Sequence, residues 1–273
     1  MSTKKIGIFD SGLGGLTVLK DLHKTFPTDS FVYIADTANA PWGSKSKSDL
    51  EYILNEILNE LLKEDLKCIV MGCNTSYTFF YHALKNAFPV PLIGLPDFAC
   101  NDAIKQSQNK RIAILATQGT ISTGYFQKTL QNCNPNTEIL ELASPDLVPF
   151  IESHSLDHKD LKKTLLNYLE KIHDFNADCL IYGCTHYPLL DPLISKLTKQ
   201  PLYRINPTQS LCNYMAPLIT NNKDTHTETG SVEFKVSGEL SEFETFINTY
   251  MKTIKDYTIS KFNYDTKKLA NQV

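Results

Sequence analysis

Two stretches of this chain share one pattern, and that pattern restricts the fold more than anything else in the sequence. Lys67-Cys-Ile-Val-Met-Gly-Cys73-Asn-Thr75 returns much later as Asp178-Cys-Leu-Ile-Tyr-Gly-Cys184-Thr-His186. Each reads as a polar residue, a cysteine, a short apolar run, a glycine, a second cysteine and small polar groups. The apolar run suits a parallel strand buried on both faces. The glycine then permits a sharp turn or a close backbone approach. Each copy therefore presents one thiol, Cys73 or Cys184, past the carboxyl end of a strand, where open α/β sheets bind ligands. Two matching thiols from two halves of a chain predict a site between those halves.

The surroundings of the two copies repeat as well. Lys4-Lys-Ile-Gly-Ile-Phe9 is matched by Lys110-Arg-Ile-Ala-Ile-Leu115, with Thr117 opposite Ser11. Phe31-Val-Tyr-Ile-Ala35 is matched by Glu138-Ile-Leu-Glu-Leu-Ala143, and Pro41-Trp42 by Pro149-Phe150. The helical spacing of Leu50, Leu54, Ile57, Leu58 and Leu61 has its counterpart in Leu161, Leu165, Tyr168, Leu169 and Ile172. Matches in the same order predict two pseudo-symmetric, doubly wound α/β domains with the active site in the cleft between them. Ser231-Val-Glu-Phe-Lys-Val-Ser237 alternates as a strand, and a helix is expected from Ser241 to Ile254. This terminal piece is expected to return to the first domain, giving 1–97 plus 208–273 as one domain and 98–207 as the other.

Local signals fill in the rest. Ser48 and Glu51 stand in capping-box register at the start of the Leu50 helix. Prolines around Pro89-Val-Pro-Leu-Ile-Gly94 restrict that segment to an edge strand or a strand start. Asn221 to Thr229 reads as a polar loop. Asp256 to Val273 is polar and weakly patterned, either an added terminal element or a frayed end.

The composition excludes several classes. The net charge is −3 without a clustered basic face, so no nucleic-acid partner is expected. No apolar run approaches a membrane span, and no membrane partner is expected. The first residues run directly into a strand without a signal-peptide core, which reads as cytoplasmic. Seven cysteines, an odd number without framework spacing, point to a reducing compartment. Cys68 and Cys179 fall inside the strand patterns and read as small core residues. No CxxC pair occurs in either half, so no metal site is expected.

A thiol can be a nucleophile, a metal ligand, a redox centre or a general base. Equivalent thiols on opposite sides of one ligand suit removing a proton from one face of a carbon and supplying one to the other, which inverts a stereocentre. The α-proton of an amino acid is weakly acidic, so the carbanion-like state needs fixed dipoles around it. Ser11, Asn74, Thr75, Thr117, Thr120 and Thr185 supply hydroxyls, an amide and turn N–H groups for carboxylates. Asp10 and His186 are ionisable neighbours of the thiols. Asp10-Ser-Gly-Leu-Gly-Gly15 lacks G-x-G-x-x-G spacing, and no pyridoxal-phosphate lysine signature is evident, so no cofactor is expected.

Plainer readings of the same residues stand beside these. A buried cysteine after glycine is often a core residue. Asp10-Ser11-Gly12 can cap a helix without touching a ligand. His186 before Tyr187-Pro188 can simply start a helix. Trp42 packs a domain surface as readily as it lines a pocket. His154 and His158 read as surface residues.

With these residues in place, the chain resembles the glutamate racemases, the cofactor-independent members of the aspartate/glutamate racemase superfamily. The resemblance is carried by Gly7-Ile-Phe-Asp-Ser-Gly-Leu-Gly-Gly15, Ala35-Asp-Thr37 with Pro41-Trp-Gly43, Gly72-Cys-Asn-Thr75, Gly183-Cys-Thr-His-Tyr-Pro-Leu189, Thr117, Thr120-Ile121 with Tyr125, and Ser237-Gly238. It implies a two-base reaction on glutamate, with Cys73 deprotonating the D form and Cys184 the L form. It further implies that Asp10 and His186 assist the cysteines and that Glu152 stands behind His186. Substrate would be held by Ser11, Trp42, Gly43, Asn74, Thr75, Thr117, Thr120 and Thr185. A homodimer and a supply of D-glutamate for peptidoglycan are implied as well. Four departures stand out: Trp42 where the family has Tyr, Asp97 where it has Glu, Ser76-Tyr77-Thr78-Phe79 where it has small residues, and a tail beyond residue 255. The sequence alone also leaves room for a racemase of aspartate or another amino acid, a non-catalytic ligand-binding homologue, and a redox thiol pair.

Overall fold

The computed structural model describes residues 4–153, 155–220 and 229–264. The expectations for His154, for most of the 221–229 loop and for the last residues of the tail lie outside that range. The first half runs β1 (Lys5–Asp10), α1 (Leu16–Thr25), β2 (Phe31–Ala35), α2 (Lys47–Leu61), β3 (Leu66–Met71), α3 (Asn74–Leu84), β4 (Leu92–Gly94) and α4 (Pro96–Gln106). The second runs β5 (Arg111–Ala116), α5 (Gln118–Ser122), α6 (Tyr125–Cys133), β6 (Glu138–Ala143), α7 (Leu147–Glu152), α8 (Lys159–Asp174), β7 (Cys179–Gly183), α9 (Asp191–Leu197) and β8 (Tyr203–Ile205). The chain closes with α10 (Thr208–Thr220), β9 (Val232–Val236), α11 (Leu240–Tyr250) and β10 (Tyr257–Lys261).

All strand pairs are parallel, and they form two sheets. One has the order β10-β9-β2-β1-β3-β4 and the other β6-β5-β7-β8. The run β2-β1-β3-β4 is thus reproduced as β6-β5-β7-β8, so the repeat seen in the sequence is a repeat of topology. β9 and β10 extend the first sheet beyond β2.

Both faces of each sheet are covered. In β1, Ile6 and Ile8 enter one apolar cluster with Leu19 of α1 and Met215 of α10. Phe9 enters another with Leu54 and Ile57 of α2. In β5, Leu115 faces Leu165 of α8, and Ile114 faces Cys100 of α4 and Phe126 of α6. This alternation of a strand's residues between two clusters is what a doubly wound sheet requires, and it explains the unbroken apolar runs. Cys68 and Cys179 lie in these cores without exposure.

One local expectation is corrected. The cap of α2 is Ser46, whose hydroxyl accepts from Asp49 N at 3.2 Å, and Ser48 lies inside the helix. Both serines satisfy the capping preference, and the chain uses the one two residues earlier, which lengthens the helix. Of the two readings of the tail, an added terminal element or a frayed end, its described part follows the first, as the edge strand β10. β4 does sit at a sheet edge, and Pro91 just ahead of it accepts from Ile69 N at 2.9 Å. Among the described residues, no helix is long and apolar enough to cross a membrane.

Candidate active site

The strand register brings the site together. Phe9 of β1 pairs with Met71 of β3, and Gly72 N donates to Phe9 O at 2.8 Å, so Asp10 and Cys73 leave the sheet side by side. In the other half Ala116 pairs with Gly183, which places Thr117 next to Cys184. Cys73 then caps α3, and His186 begins a 3-10 turn, Tyr187–Leu190. Both thiols are free, and each is about nineteen-twentieths buried, 5% and 6% exposed.

The two thiols border a single cavity of about 20 Å³ together with Ser11, Pro41, Trp42, Gly43, Asn74, Thr75, Thr117, Val148, Thr185 and His186. That volume holds about one water molecule. Asp10, Glu152 and Thr120 stand behind this lining. A wider cavity of about 430 Å³ reaches Glu152 from outside, between Thr37, Ala40 and Gly238. Pro41 and Val148 were not among the sequence candidates; the alignment of Pro149 with Pro41 was the signal that could have found Val148.

The polar contacts cross between the halves. Thr75 Oγ1 lies 3.0 Å from Thr117 Oγ1 and 3.2 Å from Thr120 Oγ1, and Thr117 also caps α5 through Thr120 N. Thr185 Oγ1 donates to Asp10 Oδ2 at 3.1 Å. A side chain at Gly14 would place its Cβ 2.5 Å from His186 Nδ1, and one at Gly43 would lie 2.5 Å from Thr117 Cβ. Only glycine lets the first-half loops approach the second half this closely. Asn74 Nδ2 points to Tyr182 O at 3.5 Å, while its Oδ1 is buried without a hydrogen-bond partner among the described residues.

Each thiol has its own ionisable neighbour. Cys184 Sγ lies 3.6 Å from His186 Nδ1, and His186 Nε2 lies 3.1 Å from Glu152 Oε1. Burial alone pushes His186 down; its hydrogen bonds to Cys184 and Glu152, with the charges of Cys184 and Asp10, carry it well above its ordinary value. The Cys73 thiol is pushed up to about 12 by burial and then by the Asp10 charge. Asp10 itself is raised by burial, against the opposing charge of His186 and the N–H group of Gly12. The His186 imidazole stands beside Cys184, whereas burial and the Asp10 charge hold Cys73 as a thiol. The arrangement thus offers a thiol on each side of the cavity, one beside an imidazole and the other beside a carboxylate.

Trp42 does both things the sequence allowed. Its ring is buried against Phe9, 6.4 Å between centroids, and its edge borders the cavity. Its Nε1 donates to Asp36 Oδ2 at 2.8 Å. Two of the departures meet each other: Tyr77 Oη donates to Asp97 Oδ2 at 2.8 Å, and Tyr125 Oη to Asp97 Oδ1 at 2.5 Å. His158 caps α8, accepting from Asp160 N at 3.2 Å.

Comparison with known proteins agrees with this geometry. A family model described as Asp/Glu/Hydantoin racemase matches residues 17–215. A glutamate racemase from Trichodesmium erythraeum is 34% identical over 78% of this chain and 78% of its own length. The crystal structure of a glutamate racemase isoform from Bacillus anthracis has a TM-score of 0.88 at 25% identity, covering 96% of this chain and 98% of that one. That of the glutamate racemase from Francisella tularensis, in complex with D-glutamate, has a TM-score of 0.86 at 25% identity, with coverage of 96% and 98%. Two buried thiols on repeated strand ends, within a fold and sequence shared to this extent, place the chain in the Asp/Glu/Hydantoin racemase family, with the glutamate racemases.

Proposed function

We propose that this protein interconverts L- and D-glutamate without a cofactor, using Cys73 and Cys184 as the two bases. With L-glutamate bound, the Cys184 thiolate takes the α-proton while the Cys73 thiol delivers its own proton to the opposite face. The product leaves a Cys73 thiolate and a Cys184 thiol, which is the form that acts on D-glutamate. His186, held by Glu152, balances charge at Cys184, and Asp10 does so from the Cys73 side. Asn74 Oδ1, a buried acceptor in need of a donor, takes the substrate ammonium. The Thr75, Thr117 and Thr120 hydroxyls with Ser11, Gly43 and Thr185 take the carboxylates, and Trp42 forms the wall. Room for one water does not admit glutamate, so the halves 1–97 plus 208–273 and 98–207 separate when substrate enters.

The observation that carries this reading is the pair of free, buried thiols on equivalent turns, bordering one cavity. In the cell the role is supply of D-glutamate for peptidoglycan by a cytoplasmic homodimer. Chiral chromatography after incubation with L- or D-glutamate tests the chemistry. Cys73→Ala and Cys184→Ala are each expected to lose at least about a hundredfold in racemisation, the usual scale for a proton-transfer group; full activity in either variant contradicts the mechanism.

A further inference from the structure

Just past β10, residues 262–264 lie against the wall of the site. β10 pairs in parallel with β9, and Phe262 N donates to Val236 O at 2.8 Å. Lys261 Nζ donates to Gly238 O at 2.5 Å. Past the strand, Phe262 enters the apolar cluster that also contains Trp42 and Cys73. The Tyr264 ring lies 4.9 Å from that of Phe262 and 6.4 Å from that of Tyr52, and its hydroxyl lies beside Asp36.

Asp36 is the junction between this segment and the substrate wall. It is fully buried. Its Oδ2 accepts from Trp42 Nε1, and its Oδ1 accepts from Ser237 Oγ at 2.7 Å and Asn39 Nδ2 at 2.9 Å. Ser237 Oγ also accepts from Ala38 N at 3.0 Å, and Gly238 N donates to Thr37 Oγ1 at 3.0 Å. The loop that carries Pro41, Trp42 and Gly43 into the cavity is therefore hydrogen-bonded to one buried carboxylate and to the end of β9. The tail packs beside that loop: Phe262 shares the apolar cluster of Trp42, and the buried Tyr264 hydroxyl lies next to Asp36.

Building on the reading of the cavity as a glutamate site, we propose that Phe262 and Tyr264 are positioning residues for substrate binding. They keep water away from Asp36, so that its hydrogen bond to Trp42 Nε1 persists and the Trp42-Gly43 wall holds its place. Water admitted at Asp36 competes for that bond, and the wall loosens. Neither residue lines the cavity between the thiols. Loss of the brace therefore weakens substrate and transition-state binding alike, which raises KM and spares kcat.

Trp42 is the single tryptophan of the chain, so its fluorescence reports the wall directly. In the full-length protein without substrate, Tyr264→Ala is expected to shift Trp42 emission to longer wavelength and to increase its quenching by acrylamide by about twofold. KM for both enantiomers is expected to rise by about three- to tenfold, with kcat within about twofold of the parent. Tyr264→Phe, which keeps the ring and is too mild to unfold the chain, is expected to raise KM by about twofold through loss of the hydroxyl beside Asp36 alone. Folded variants with parental emission and parental KM overturn the proposal. The emission needs no substrate: an emission shift in a protein that does not racemise glutamate keeps the brace and overturns the assignment of the substrate.

Discussion

Thr185 Oγ1 donates to Asp10 Oδ2 at 3.1 Å, across 175 positions of sequence. The residue following one thiol is thereby bound to the carboxylate beside the other. Asp10 is fully buried and feels both the His186 charge and the Cys73 sulfur. A change at either thiol is therefore felt on the other side of the cavity through one carboxylate.

Removing that carboxylate's charge makes Cys73 easier to ionise. Burial is the larger cause of the elevated Cys73 value and remains in Asp10→Asn, so the fall is partial. Alkylation of Cys73 by iodoacetamide, followed by peptide mapping across pH, is expected to begin about one unit lower than in the parent, equivalent to about 1.4 kcal/mol. An unchanged profile contradicts the electrostatic link between Asp10 and Cys73.

Glu152→Gln removes a partner that helps hold His186 charged. The folded value of His186 is raised, so its contribution to stability is complete below the ordinary value of about 6.5 and disappears as pH rises through the raised value. The parent is therefore expected to exceed Glu152→Gln in melting temperature most in acid, with the gap closing in alkali. NMR titration of His186 is expected to move to lower pH in the variant, and racemisation at neutral pH to fall by about tenfold. A gap that widens in alkali contradicts the assignment.

Asp97 joins α3 to α6 through two phenols, and Gly94 makes room for one of them. A Cβ at Gly94 would lie 2.1 Å from Tyr77 Cδ2. Gly94→Ala is expected to cost about 1–3 kcal/mol by overpacking. Tyr77→Phe, which loses a hydrogen bond to a carboxylate, is expected to cost about 1.5–3 kcal/mol. Urea unfolding measures both, and the double variant is expected to lose less than the sum, because the phenol and the glycine share one contact.

Opening of the site is testable through the cavity itself. On the proposed reading saturating glutamate requires the walls to separate, so ligand is expected to slow hydrogen exchange in the Thr117 and Thr185 turns while the core strands β1 and β5 remain unchanged. Protection confined to the surface away from both turns contradicts a site between the halves.

The repeat was legible because strand burial on both faces leaves a continuous apolar run, and both halves kept it. Cys73, Cys184, Ser11, Asn74, Thr117 and His186 could be placed at strand ends because the turn follows the run directly. The partners were not legible. Thr75, Thr117 and Thr120 meet through packing of one half on the other, and no local pattern encodes that meeting. β8 is short and half exposed, which leaves little apolar signal. β10 alternates intermediate and exposed positions, so its pattern resembles a loop until β9 offers it hydrogen bonds. The choice of Ser46 over Ser48 as a cap moved the helix start by two residues, a difference smaller than propensity resolves.

The most direct measurement is proton NMR of enantiopure L- and D-glutamate with the purified protein in deuterated water, without added cofactor. Two-base racemisation is expected to place solvent deuterium at the α-carbon of the newly formed enantiomer from either starting material, while early unreacted substrate keeps its proton. Inversion with the original α-hydrogen retained, or no exchange at all by the folded and reduced protein, would contradict two cysteines acting from opposite faces.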